Sequence, residues 1–139
     1  MNLQILLTAF IAWFIAQMTK LISDWRKHGK PDFKVLLESG GMPSSHTALV
    51  ISATTKIGIL EGFSSNIFSI CLIFSLVIMY DATGVRRSVG LQARKLNQLL
   101  DIFHETHKFD GDKLREILGH TPIEVFGGFI LGVLVAYLI

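Results

Sequence analysis

The sequence predicts an all-α protein: a polytopic membrane helical bundle with about four transmembrane helices and an amphipathic surface helix within the 86–119 connection. Three observations predict it. Half of the 139 residues are hydrophobic and 17% are charged, with a mean hydropathy of +0.50. That is more apolar than an ordinary soluble domain. Residues 3–19, 62–80 and 125–139 contain no Lys, Arg, Asp or Glu, and such blocks are roughly long enough to cross a hydrocarbon core. The cations gather instead in two polar connections. The length fits a single membrane domain, residues 1–139.

The first helix is expected at about residues 3–21. Thr8, Ala12 and Ala16 recur every four residues there, a small-residue stripe suited to close helix contact. The segment "MNLQILLTAF" lacks a basic n-region, so it is expected to remain as a mature helix. The second helix follows "MPSSH" and runs over about 45–60. Ser52, Thr54, Thr55 and Lys56 make it too polar to face lipid, so other helices should surround it. The third, about 66–84, is the most apolar and carries the one cysteine, Cys71, read as a small buried hydrophobe. The fourth, about 121–139, contains Gly128 and Gly132 as a GxxxG pair. That pair marks a packing face, either within the chain or in a homodimer.

Residues 22–43 and 85–120 form the two polar connections. With four spans both emerge on the same side. They hold four and seven of the 13 Lys and Arg, respectively. The positive-inside rule makes that side cytoplasmic and places both termini outside, in a bacterial plasma membrane. "LQARKLNQLLDIFHETH" within the second connection is amphipathic, and "FDGDK" reads as a turn. His104 and His107 sit three apart on that helix, but two such residues without a third are a weak metal signal. A net charge of +2 does not point to nucleic acid.

Four groups then fall on one face of the bundle. Lys20 lies at the exit of the first helix and "PSSH" at the entry of the second. Asp81, Arg86 and Arg87 lie at the exit of the third, and "GHTPIE" at the entry of the fourth. Helix starts bind anions through free N–H groups and the positive dipole end. Gly41 lets backbone approach an anion closely, and Gly119 precedes His120. Arginines offer forked donors to phosphate oxygens. A histidine can act as nucleophile or proton donor. The pieces suit covalent phosphoryl transfer without metal or cofactor.

"GGMPSSH", "YDATGVRRSVGLQA" and "LGHTPIEV", in this order, resemble the divergent branch of the type 2 phosphatidic acid phosphatase superfamily. That superfamily is related to acid phosphatases and vanadium-dependent haloperoxidases. The resemblance covers nearly the whole chain. It implies that His120 is a nucleophile forming a phosphohistidine and that Glu124 orients its ring. His46 is then the general acid, Ser44 and Ser45 donate to phosphate, and Lys20 is the lysine of the first signature. Two positions depart from the pattern. Lys27 stands where the first signature has Arg-Pro, with Pro31 only further on, and Leu114 stands where the third has Arg. Arg86 and Arg87 are expected to supply the missing charge, with Asp81 in support.

Several residues also have plainer readings. Thr121, Pro122 and Glu124 make a capping box. Ser44 or Ser45 is a natural N-cap, and Arg86 and Arg87 are natural stop-transfer charges. The leading expectation is a lipid phosphatase acting on a lipid phosphate or pyrophosphate. The alternatives are an inactive membrane protein binding anionic lipid or a partner, and a small dimeric transporter.

Overall fold

The computed structural model describes residues 3–30, 32, 33, 36, 40–106, 114 and 119–139. The side chains of Arg86 and of residues 103–106 lie outside the description, as do His107 and the "FDGDK" turn at 109–113. Among the described residues are five α-helices: α1 (Leu3–His28), α2 (Ser45–Glu61), α3 (Asn66–Thr83), α4 (Val85–Thr106) and α5 (Pro122–Leu138). The first helix does not stop near Leu21 but continues to His28. Nothing in "ISDWRKH" breaks a helix, and the cations Arg26, Lys27 and His28 suit its negative C-terminal end. The amphipathic helix also starts earlier than the sequence implies. It resumes at Val85, directly after the Gly84 cap of α3.

Three helix starts are capped by a hydroxyl, two of them, Ser44 and Thr121, at the expected place. Ser44 accepts from Thr47 N, Ser65 from Phe68 N and Thr121 from Glu124 N. Each satisfies an N–H that would otherwise lack a partner in the first turn.

α2 is the central helix and packs against α1, α3 and α5. This accounts for its polar residues: Ser52, Thr54 and Lys56 are all buried. Thr54 and Ser75 share a hydrogen bond of 2.8 Å across α2 and α3, and Ser75 Oγ also donates to the carbonyl of Cys71 at 2.9 Å. The Thr8, Ala12 and Ala16 stripe is fully buried, and Ala12 and Ala16 meet Ala48 and Val135 in the core. Large apolar side chains such as Phe10, Phe14, Phe74, Val77, Phe126 and Leu134 point outward. Small residues inside and bulky ones outside is the arrangement of helices that pack in lipid.

The GxxxG pair is used within the chain. A Cβ on Gly128 would run into the Ser44 carbonyl and stand 2.9 Å from Thr47 Cβ. One on Gly132 would come within 2.9 Å of the Ala48 carbonyl. Any homodimer would therefore use another surface.

α1 and the continuous Asn66–Ile102 segment are long and apolar enough to cross a membrane by length and composition. α2 and α5 have 17 residues each, at the short limit for a span. Cross-helix contacts set the directions. Lys20 near the end of α1 reaches Ser45 at the start of α2. Val50 and Thr54 meet Ser75 and Cys71 in reverse order. Gly128 and Gly132 meet Ser44 and Ala48 in the same order. α2 and α5 thus run parallel to each other, with α1 and α3 opposed to them. α1 and α3 do not touch; α2 and α5 lie between them.

Candidate active site

The starts of α2 and α5 lie side by side because their backbones are joined. Ser44 N donates to the Glu124 carbonyl at 2.9 Å. A second backbone bond, His120 N to the Ala82 carbonyl at 2.9 Å, ties the residue before α5 to the last turn of α3. Four segments distant in sequence therefore converge on one end of the bundle: the end of α1, the starts of α2 and α5, and the end of α3.

His120 is nearly fully buried, and its Nδ1 lies 3.1 Å from Glu124 Oε2. An ionised carboxylate can only accept, so Nδ1–H points at it, and in the neutral ring this leaves the lone pair on Nε2. The same Oε2 accepts from Thr121 N at 3.0 Å, closing the capping box. The two readings of Glu124 are thus served by one oxygen. Gly119, with φ of 94°, turns the chain just before His120, a conformation that side chains with a Cβ rarely adopt.

His46 lies in the first turn of α2 and is exposed. Its ring centroid is 6.2 Å from that of His120, edge to face. Ser44 Oγ is engaged locally, accepting from Thr47 N at 3.3 Å and from Thr47 Oγ1 at 3.0 Å. Ser45 Oγ accepts from Lys20 Nζ at 3.3 Å.

Lys20 is 3% exposed. Burying an ammonium is costly without a countercharge. Its hydrogen bond is to a neutral hydroxyl, and the charge that attracts it is Glu124. Glu124 is itself engaged with His120 and Thr121. Burial works against the ammonium and the Glu124 charge works for it, so an anion beside Lys20 would add to what favours the charge. Gly41, beside the Lys20 side chain, has a φ of 82°, a conformation that residues with a Cβ rarely adopt.

The remaining predicted residues lie at the margin. Asp81 is half-buried next to Ala82. Arg87 is exposed on the first turn of α4, and the Arg86 side chain is outside the description.

Two contributors to the site, and one contact on α4, escaped the sequence reading. The Ala82 carbonyl holds His120 through backbone, which no side-chain pattern announces. Thr47 ties Ser44 in place. Asn97 on α4 is buried and grips the backbone of residue 114 from both sides: Nδ2 donates to Leu114 O at 2.7 Å, and Leu114 N donates to Oδ1 at 2.8 Å. Gly90, Ala93 and Asn97 form a small-residue line along α4, set apart from its large apolar face. That line was the available signal.

The fold and the site together define an all-helical membrane protein with a paired-histidine, lysine-lined polar end. A family model described as "Divergent PAP2 family" matches residues 1–135. The chain belongs to that family. It is also 37% identical over 140 residues to YuiD, an uncharacterized membrane protein of Bacillus subtilis (strain 168), covering 93% of this chain and 89% of that protein. No solved structure matches the chain.

Proposed function

We propose that the chain is a membrane phosphohydrolase acting on a lipid phosphate or pyrophosphate through a phosphohistidine. The observation that carries this reading is the His120–Glu124 contact at 3.1 Å, with the His46 ring 6.2 Å from that of His120. His120 Nε2 attacks phosphorus, and the bond to the leaving oxygen breaks. Glu124 stabilises the charge that grows on the ring. His46, protonated, delivers its proton to the leaving alkoxide or phosphate. Water then attacks phosphorus and gives its proton to His46, the phosphorus–Nε2 bond breaks with its electron pair returning to His120, and inorganic phosphate leaves.

Lys20 and the open N–H groups at the start of α2 hold the phosphoryl oxygens. Arg86 and Arg87, at the start of α4, are proposed to close over the group when it is bound. The polar end faces the cytoplasm, where the basic connections belong.

The test is phosphate release from a panel of lipid phosphates in liposomes with EDTA. Release that persists in EDTA and disappears in both His120→Ala and His46→Ala is expected. A folded wild type that binds lipid phosphate but releases none would leave an anionic-lipid binder. Activity restored only by added metal would mean different chemistry in the same pocket.

A further inference from the structure

The two flanks of the site differ in chemistry. On the α1 side a cavity of about 280 Å³ is lined by Lys20, Ser23, Asp24, Lys27, His28 and Gly41. It exists because α1 stays helical past Leu21. Positions 20, 24 and 27 recur at helical spacing and so share one face. Asp24 is partly engaged, 2.9 Å from His28 Nδ1, so the cavity remains cationic on balance.

On the α3 side lies a groove of about 470 Å³. Met79, Tyr80 and Thr83 form one wall, and Val125, Phe126 and Phe129 the other. Pro122, two residues beyond His120, also lines it. α1 and α3 are separated by α2 and α5. The cationic cavity and the apolar groove therefore flank the two histidines from opposite sides. A ligand lying across the site meets charge at one end and hydrocarbon at the other.

A second apolar groove, about 190 Å³ between α2 and α3, is different. Its polar groups, Thr54 and Ser75, bond to each other. It reaches none of the cations.

We propose that the α3–α5 groove seats the hydrocarbon chain of the substrate, so that a phosphate-bearing amphiphile reaches His120 sideways from the bilayer. This rests on the phosphohydrolase reading for the headgroup and adds the place of the chain and the direction of entry. Tyr80 and Phe126 are 76% and 64% exposed, so the groove opens outward to the lipid. Pro122 then brings the polar end of the chain beside Thr121 and His120.

The experiment uses the full chain in liposomes and a long-chain alkyl phosphonate, which cannot be hydrolysed, carrying a diazirine midway along the chain. Crosslinks are mapped by mass spectrometry. Label is expected on Met79, Thr83, Phe126 and Phe129. It should be displaced by excess unlabelled phosphonate but not by the alcohol of the same chain length. Thr83→Trp, which fills the groove, should lower labelling about tenfold, while Phe74→Trp in the α2–α3 groove should not.

Label spread over the outer faces of α1 and α3, or displaced equally by the alcohol, would mean that ordinary bilayer lipid occupies the groove and would overturn the proposal. Label concentrated in the α2–α3 groove would overturn it as well. Hydrolysis is read separately. If no phosphate ester is cleaved, the catalytic reading fails while the labelling pattern still decides where the chain lies.

Discussion

Glu124 is the residue on which cap and chemistry meet. Its Oε2 accepts from both His120 Nδ1 and Thr121 N. In Glu124→Gln the amide competes for the same position and no longer holds a charge against the imidazole. Phosphate release should fall by about 100-fold or more, as when the carboxylate that orients a catalytic histidine is replaced by its amide. Thermal stability should change by less than about 1 kcal/mol, since Gln also closes a capping box at this position. A melting curve beside a rate measurement separates the two. Lys20 should behave in the opposite sense. Replacing a buried charge with an apolar group of similar size is often neutral or stabilising. Lys20→Met should therefore melt no lower than wild type, yet bind alkyl phosphonate at least about tenfold more weakly. Equal binding by Lys20→Met would remove this residue from the phosphate seat.

The α2–α5 contact is the joint that places Ser44 beside Glu124, and two neighbouring glycines test it. A Cβ on Gly128 meets the Ser44 carbonyl, which is backbone and cannot move aside. A Cβ on Gly127 stands 3.2 Å from Met42 Cε, the flexible tip of a side chain. Gly128→Ala should cost about 2 kcal/mol, the scale of overpacking in a tight contact, and lower activity with it. Gly127→Ala should be nearly silent. Denaturation in detergent micelles reads both. On α4, Asn97→Asp keeps the size but replaces the donor facing Leu114 O with an acceptor. Two like-signed oxygens then face each other in a buried place, at a cost of about 1–3 kcal/mol. Amide exchange at Leu114 should speed up, while exchange in α1 and α2 should not.

The whole molecule has a direction across the membrane that labelling can read. The loop Gly62–Ser65 and the start of α4 lie at opposite ends of α3. With Cys71 replaced by Ala, single cysteines at Ser64 and Ser88 should react with an impermeant maleimide from opposite sides of the membrane. Ser64→Cys is expected to label in intact cells and Ser88→Cys only after permeabilisation. The reverse pattern would put the histidines outside and exclude a cytoplasmic-leaflet substrate.

The apolar blocks, the Ser44 and Thr121 caps and the small-residue stripes of α1 and α5 could be read along the chain. Each is a local rule: span length, first-turn donors, or spacing on one helix face. The grouping of Lys20, Ser45, His46, His120 and Glu124 at one end could be read too, since it follows from counting spans. The joining of those groups could not. Whether Gly128 and Gly132 faced a partner or the chain's own α2 depended on which helix lay beside them. The Ala82 carbonyl and the Asn97 grip depended equally on neighbours far away in sequence. Local pattern sets which surfaces must be covered, but the packing of distant helices selects what covers them. That packing put a cationic cavity on one side of the histidines and an apolar groove on the other.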